Sequence, residues 1–368
     1  MYLKDYFSNL KKEYQNYFFS GITFDSSKVK KNFIFFAIKG NRKDGHNYIN
    51  KAIQKGAKII IHEKKFSGII NKILFLNSKN IRKLLSKTSF KINHKISKNL
   101  VAVTGTNGKS SICDFYLQIM KLNKKKVASI GTLGVKTNES FQSLPNTTID
   151  PLNLSLLLRD LKKRKIENVI MEASSHGLKQ HRLDGLYFNT GIFTNLSHDH
   201  LDYHKNMKDY LNSKLYLFKK LIKRNGNVIT DKSIPQFRKI KKVCKNNNLK
   251  LNFLSSNKEN SQIEIKSHNY QGEGQLIELA YKKLRFKFVL HLIGKVQITN
   301  VLMAAIAAEK SGIKVNSIFN KLSKIKPVNG RLEKIGKINN NSKVILDYAH
   351  TPDALKTVLE NIKDQFFN

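Results

Sequence analysis

Cysteine is scarce in this sequence: Cys113 and Cys244 are its only two, far apart and outside any C-x-x-C spacing. That excludes a disulfide framework and suggests no zinc site, so both thiols are expected to be inert. Long apolar runs are also missing, and none reaches the length of a membrane span. The opening stretch "MYLKDYFSNLKKEYQNYFF" lacks the apolar centre and cleavage site of a secretory leader. The chain therefore reads as soluble and cytoplasmic, without a membrane partner. Acidic residues are few, 26 Asp plus Glu against 67 Lys plus Arg, which gives a formal net charge of +41. Such a field could track a nucleic-acid backbone. The lysines, however, are spread along the whole chain beside a general excess of Asn and Ile, and RNP, zinc-finger and K-homology signatures are lacking. No nucleic-acid partner is expected, whereas an acidic small-molecule substrate would benefit from the same field.

What is present fits more than one domain, because 368 residues with 40% hydrophobic content can build two or three cores. From Met1 to about Ile92, short strands around "GITFDSSKV" and "NFIFFAIKG", a helix "YINKAIQKGA" and a strand "KIIIHE" form a small α/β unit. Beyond "KINHKISKN" the pattern becomes regular. Strand "LVAVT", helix "SSICDFYLQIM", strand "KVASIG", a helix over Leu152 to Lys163, strands "ENVIMEAS" and "FNTGIFTNL" and a helix near Tyr210 to Lys220 succeed one another. Such alternation predicts a parallel sheet covered on both faces, with ligands at the carboxyl ends of its strands. The polar stretch "SSNKENSQ" is expected to be a surface loop.

The motifs lie at those strand ends. "VAVTGTNGKSS" sets an apolar strand against a glycine-rich loop. Gly105 and Gly108 let backbone N–H groups approach an anion, Lys109 supplies a cation, and the Ser110 hydroxyl can ligate Mg²⁺. The strict phosphate-loop pattern would want glycine at 103, where Val103 stands, so a plain strand-to-helix turn remains an alternative. Glu172, after the apolar run "NVIM", could hold the metal that accompanies a bound nucleotide, or could face water. "SSHGLKQHRLDG" gathers Ser174, Ser175, His176, Gln180 and Arg182 into a donor-rich surface for an anionic ligand. "FTNLSHDHLDYH" packs His198, Asp199, His200, Asp202 and His204 together; its spacing matches no zinc signature and equally suits Mg²⁺ beside phosphates. Lys214, by itself, reads as an ordinary helix-face charge.

Taken together, "TGTNGKSS", "NTTIDPLNL", "EASSHGLKQHRLDG", "FTNLSHDHLDYHKNMKDYLNSKLYLF", "NGRLEKI" and "ILDYAHTPDAL" resemble the Mur ligases in order and approximate spacing. These are the ATP-dependent amide-forming enzymes of peptidoglycan precursor synthesis. Within the family the chain is similar to the MurE type, which adds the third peptide residue to UDP-N-acetylmuramoyl-L-alanyl-D-glutamate, and "ASSHGL" after the acidic residue separates it from other branches. The resemblance runs from Asp25 to the end. It implies a three-domain α/β architecture: a small N-terminal UDP-binding domain over 1–92, a central parallel-sheet ATPase domain over 93–327, and over 328–368 the start of a Rossmann-like domain for the amino acid. It further implies that Gly105, Thr106, Asn107, Gly108, Lys109, Ser110 and Ser111 hold the ATP phosphates, and that Ser110, Glu172 and His200 bind Mg²⁺. Lys214 falls where the family has an N-carboxylated lysine, able to support a second Mg²⁺. Thr147, Thr148, Ser174, Gln180 and Arg182 fall on positions for the muramoyl dipeptide, and Ser26, Asp44 and His46 on the uridine side. Asn300, Arg331, Asp347 and His350 correspond to residues that meet the nucleotide.

Three departures accompany the resemblance. Gln297 stands where the family usually has the first of two asparagines near adenine, and Ser27 where arginine is usual. The chain stops at Asn368, before the D-N-P-R motif that contacts the added amino acid, so it is expected to be incomplete in its third domain and to bind the UDP substrate better than it ligates. The implied reaction is phosphorylation of the D-glutamyl side-chain carboxylate by ATP, followed by attack of a diamino acid, with Lys109 and Mg²⁺ offsetting the phosphoryl charge. Diaminopimelate is favoured over lysine, and a monomer is expected. A folylpolyglutamate-type ligase and a nucleotide-binding protein without turnover are the alternatives.

Overall fold

A computed structural model describes residues 1–40, 43–255, 261–282, 284–339 and 342–367. The chain folds into two compact units: Met1–Ile96 with Ile149–Asp160 and Gln180–Leu186, and Ser97–Thr148 with Leu161–Lys179 and Tyr187–Asn368.

The first unit is built on strands β1 (Gly21–Thr23), β2 (Phe33–Phe36), β3 (Ala57–His62), β4 (Gly68–Ile70) and β5 (Ile73–Asn77), in the order β1-β2-β3-β5-β4. All pair in parallel except the edge strand β4. Successive side chains of a strand point to opposite faces, so apolar runs such as "FIFFA" and "KIII" feed two cores at once. Ile34, Phe36, Ile59 and Ile61 join Leu3, Phe19 and Leu85 on one side, while Phe35, Ala37 and Ile60 join Val29 and Ala52 on the other. Helix α1 (Ile49–Gln54) supplies Ala52, and α2 (Ile81–Ile92) supplies Leu85.

The second unit carries strands β6 (Asn99–Thr104), β7 (Val127–Gly131), β8 (Gly134–Thr137), β9 (Phe141–Gln142), β10 (Asn168–Glu172), β11 (Phe188–Phe193), β12 (Ile222–Asp231), β13 (Lys250–Ser255), β14 (Ile263–Gln271), β15 (Gly274–Tyr281) and β16 (Leu284–Leu290). Its helices are α3 (Lys109–Leu122), α4 (Pro151–Lys163, part of the first unit up to Asp160), α5 (Ser175–Lys179), α6 (Met207–Tyr216), α7 (Phe237–Asn246), α8 (Lys295–Lys310), α9 (Val315–Phe319) and α10 (Pro352–Phe366). Among the described residues the strands form one sheet, β16-β15-β14-β13-β12-β11-β6-β10-β7-β8-β9. The run from β14 to β7 is parallel, as the alternation predicts. Both margins differ from that expectation: β14–β16 and β7–β9 are antiparallel meanders, joined by turns too short for a helical crossover.

Strand order reverses about β6. The chain leaves β6 for β7, returns to fill the gap with β10, and then places β11 on the opposite side, so the ends of β6, β10 and β11 flank a switch point. The parallel registers set Glu172 beside Val103 and Phe193 beside Thr104. Beneath them α3 and α8 pack against each other and the sheet, burying Val101, Val103, Ile112, Phe115, Ile170 and Val301 in one core. Helix α8 is apolar nearly all round, and its alanines 304, 305, 307 and 308, all buried, allow that close approach.

The helix expected up to Lys220 is α-helical only to Tyr216 and continues as a π-turn over Leu217–Leu221. The loop expected at "SSNKENSQ" lies largely outside the described residues. A small hairpin, β17 (Glu333–Lys337) with β18 (Lys343–Leu346), precedes α10. No helix among the described residues is long and apolar enough to cross a membrane.

Candidate active site

The loop after β6 is shaped by two left-handed glycines. Gly105 has φ +147° and Gly108, which opens α3, has φ +85°, a region that side chains rarely adopt. A Cβ on Gly105 would collide with the Thr194 hydroxyl, and one on Gly108 would lie 2.7 Å from Asn300 Oδ1. The residues following β11 brace this loop. Thr194 Oγ1 donates to Asn107 O at 2.6 Å, Asn195 Oδ1 accepts from Asn107 N at 2.9 Å, and Asn195 O accepts from Thr106 N at 3.0 Å.

Two lysines converge on one carbonyl of the loop. Lys109 Nζ donates to Gly105 O at 3.0 Å and Thr106 O at 2.6 Å, using two of its three protons. Lys214, only 1% exposed, donates to the same Gly105 O at 2.6 Å and lies 4.3 Å from the centre of the Tyr210 ring. Burial pushes the Lys214 ammonium well below its ordinary pKa, and the neighbouring Lys109 charge pushes it further. Lys109 is also lowered, chiefly by burial, with Glu172 opposing the shift. At Lys214 both effects favour the uncharged amine over a solvated surface charge. The bland reading of Lys214 as a solvated helix-face lysine is thus corrected: it faces the loop because α6, capped by the Asn206 side chain, turns that face inward.

Beside the lysines, Glu172 ends β10 with its side chain buried. Its Oε1 accepts from Ser110 Oγ at 3.0 Å and from Thr132 N at 2.8 Å, and Oε2 accepts from Thr132 Oγ1 at 3.3 Å. Ser110 Oγ in turn accepts from Arg331 Nη2 at 3.2 Å. A small cleft lined by Ser110, Cys113, Asp114, Ser129, Gly131 and Glu172 opens here. Ser110 and Glu172 offer hard oxygen donors of the kind Mg²⁺ takes, while burial raises the pKa of the Cys113 thiol in the same cleft and so disfavours a thiolate ligand. His200 sits at φ +53°, its N–H held by Asp199 Oδ1 at 2.8 Å. Burial lowers its pKa, against the pull of Asp199, which favours the neutral imidazole a metal ligand needs.

Asn300 Nδ2 donates to Gln297 Oε1 at 3.1 Å, and Gln297 Nε2 donates to Arg331 O at 3.2 Å, so the unusual glutamine joins Asn300 to the chain entering β17. The Arg331 guanidinium lies 4.7 Å from the Tyr348 ring centre. Asp347 accepts from Leu332 N at 2.8 Å and Ala349 N at 2.7 Å, which holds Leu332 at φ +46°; His350 is exposed. Ser111 is buried in α3. Thr148 Oγ1 bridges Glu172 O and Ser174 N at 2.9 and 3.1 Å, and Thr147 Oγ1 lies 3.0 Å from Thr132 Oγ1.

The remaining expected residues belong to the first unit. Asp44 caps a turn by accepting from His46 N at 2.9 Å and pairs with His46 Nδ1 at 2.7 Å, bonds that lower its pKa. His46 Nε2 is buried and has no hydrogen-bond partner among the described residues. Ser26 opens a turn capped by Asp25. Gln180 Oε1 accepts from Arg182 Nε at 3.1 Å and Nη2 at 2.8 Å, fixing the guanidinium. Sequence reasoning missed Thr132, Thr194, Asn195 and Tyr210. Of these only Tyr210 left a signal, since an i, i+4 partner of Lys214 shares its helix face.

Residues 103–308 match the model of the Mur ligase middle domain, and residues 19–83 that of the Mur ligase family catalytic domain. The chain is 36% identical over 362 residues to UDP-N-acetylmuramoyl-L-alanyl-D-glutamate--2,6-diaminopimelate ligase of Rickettsia typhi, covering 96% of this chain and 72% of that protein. With the enzyme of the same name from Zymomonas mobilis the identity is 36%, over 93% of this chain and 70% of the other. A solved structure of a ligase bearing that name superposes with TM-score 0.83 at 26% identity, over 99% of this chain and 74% of the other. MurF ligase from Thermotoga maritima, solved with ADP, shares the fold at TM-score 0.65 and 22% identity, over 92% of this chain and 74% of that one.

Proposed function

From the premise that this chain belongs to the Mur ligase family, we propose that it joins 2,6-diaminopimelate to UDP-N-acetylmuramoyl-L-alanyl-D-glutamate with consumption of ATP, in the synthesis of the peptidoglycan precursor. It is an ATP-dependent ligase that forms an amide bond. A carboxylate is a poor acyl donor, so its oxygen first attacks the γ-phosphorus of ATP and ADP departs. The amine then adds to the acyl phosphate carbonyl, loses a proton, and expels phosphate.

The observation that carries this reading is the meeting of Lys109, Lys214, Ser110 and Glu172 around a loop whose glycine backbone can take phosphates. Lys109 neutralises charge on the transferring phosphoryl group, and the N–H groups of the first turn of α3 orient it. Ser110, Glu172 and His200 are the residues that would hold Mg²⁺, which when bound shields the phosphoryl oxygens. Lys214 reacts as the free amine with carbon dioxide, forming a carbamate and releasing a proton. The remaining N–H still satisfies Gly105 O, and the new anion sits beside Lys109. Asn300 and Arg331 face the nucleotide, with Asp347 bracing the turn and His350 at its rim. Thr147, Ser174, Gln180 and Arg182 receive the acidic dipeptide, Thr148 supports that loop, and Ser26, Asp44 and His46 serve the uridine side. Segments 1–92, 93–327 and 328–368 are assigned to UDP, ATP and the added amino acid. Both nucleotides are cytoplasmic metabolites, so the reading includes a cytoplasmic enzyme, acting as a monomer.

The test is ADP release by the purified chain with Mg²⁺ and ATP. Release should require both the UDP-muramoyl dipeptide and diaminopimelate, with lysine a poor substitute. Release driven instead by a folate and glutamate, or absence of UDP-substrate binding, would overturn the assignment.

A further inference from the structure

Thr132 occupies the turn between β7 and β8 and is solvent-exposed, yet it grips the buried Glu172 carboxylate with two separate donors. Its N–H and hydroxyl reach the two oxygens of Glu172, at 2.8 and 3.3 Å, and its hydroxyl also meets Thr147 Oγ1 at 3.0 Å. Such an approach needs Gly131 beside it, because a Cβ there would collide with the Glu172 carboxylate. The turn is tethered from behind, where Lys136 of β8 pairs with Asp114 of α3 at 2.8 Å.

The protons fix a direction. A hydroxyl donates once, and a carboxylate only accepts. Thr132 therefore donates to Glu172 and receives the Thr147 proton, which leaves Thr147 oxygen lone pairs to face a ligand. Donors thus converge on the Glu172 carboxylate from two sides, from Thr147 through Thr132 and from Arg331 through Ser110. Thr148, by contrast, donates to the Glu172 backbone carbonyl rather than to its carboxylate.

We infer that the Thr132 hydroxyl is a positioning group that couples occupation of the nucleotide and metal side at Glu172 to binding of the acidic peptide substrate at Thr147. The first ligand to bind orders the chain Thr147–Thr132–Glu172, and the second binds to a site already ordered. This inference rests on the substrate and nucleotide roles proposed above.

The experiment is calorimetric titration of UDP-N-acetylmuramoyl-L-alanyl-D-glutamate into the full chain, with and without Mg²⁺ and a non-hydrolysable ATP analogue. In the unsubstituted protein the analogue should tighten substrate binding by about fivefold or more. Thr132→Val keeps the N–H and the shape but removes the hydroxyl, and should reduce that factor to about twofold or less, with each ligand alone still bound. Thr132→Ser restores the hydroxyl and should restore the coupling. Equal coupling in Thr132→Val and the unsubstituted chain, or failure of serine to rescue it, overturns the inference while leaving the site assignment standing. If the unsubstituted chain binds neither ligand, the proposed function falls and the inference with it.

Discussion

Replacing Lys214 by methionine should stabilise the protein and stop the reaction. Methionine fills nearly the volume of the buried stem without its ammonium. In the unfolded chain a lysine titrates near 10.4, and each pH unit by which the folded state lowers that value costs about 1.4 kcal/mol of stability at neutral pH. Burial and the Lys109 charge both act in that direction on Lys214. The folded state thus binds fewer protons than the unfolded state between the depressed pKa and about 10.4. The penalty is complete below the depressed value and fades as pH rises through the unfolded one. Urea unfolding in carbon dioxide-free buffer should therefore show Lys214→Met more stable than the unsubstituted chain at pH 7, with the gap closing towards pH 10. The lost hydrogen bond to Gly105 O works against this gain by about 1 kcal/mol. Turnover should fall by about a hundredfold to a thousandfold, the usual cost of one preorganised electrostatic group. In the smaller variant Lys214→Ala, acetate should partly restore turnover by placing an anion in the vacated space. Wild-type turnover in either variant, or a stability gap independent of pH, would refute the reasoning.

Lys109→Ala should also cost about a hundredfold or more in turnover. It should gain nothing from acetate, because the lost group is a cation, and binding of the UDP substrate measured by calorimetry should be unchanged. Gln365→Ala should destabilise the chain by about 1–3 kcal/mol in urea unfolding, because Gln365 Oε1 is the 2.8 Å acceptor for the buried Gly294 N–H ahead of α8. Asn361 Oδ1 accepts from Val296 N in the same helix start, and its loss should be milder because that bond is longer, 3.2 Å, and less buried.

What was legible in the sequence follows from range. The β6 loop, the strand-end position of Glu172 and the alternation of strands and helices are local patterns, and each is found where the pattern sets it. Lys214 was not legible from composition or spacing, since its meaning depends on a 109-residue separation from Gly105. Resemblance alone singled it out. Thr194 and Asn195 escaped notice because only the sheet order, with β11 beside β6, brings them under the loop. Thr132 escaped for the same reason: it acts through β10, which enters the sheet between β6 and β7 long after β7 is made. The antiparallel margins were missed because short polar turns and half-apolar strands carry no crossover helix to mark direction.

The central claim is that this site makes an acyl phosphate, and oxygen transfer tests it most directly. The chain is given ATP, Mg²⁺, diaminopimelate and UDP-N-acetylmuramoyl-L-alanyl-D-glutamate labelled with oxygen-18 in the D-glutamyl side-chain carboxylate. If that carboxylate attacks the γ-phosphorus, the inorganic phosphate released carries one labelled oxygen in its mass spectrum. Amide formation with wholly unlabelled phosphate would contradict the account.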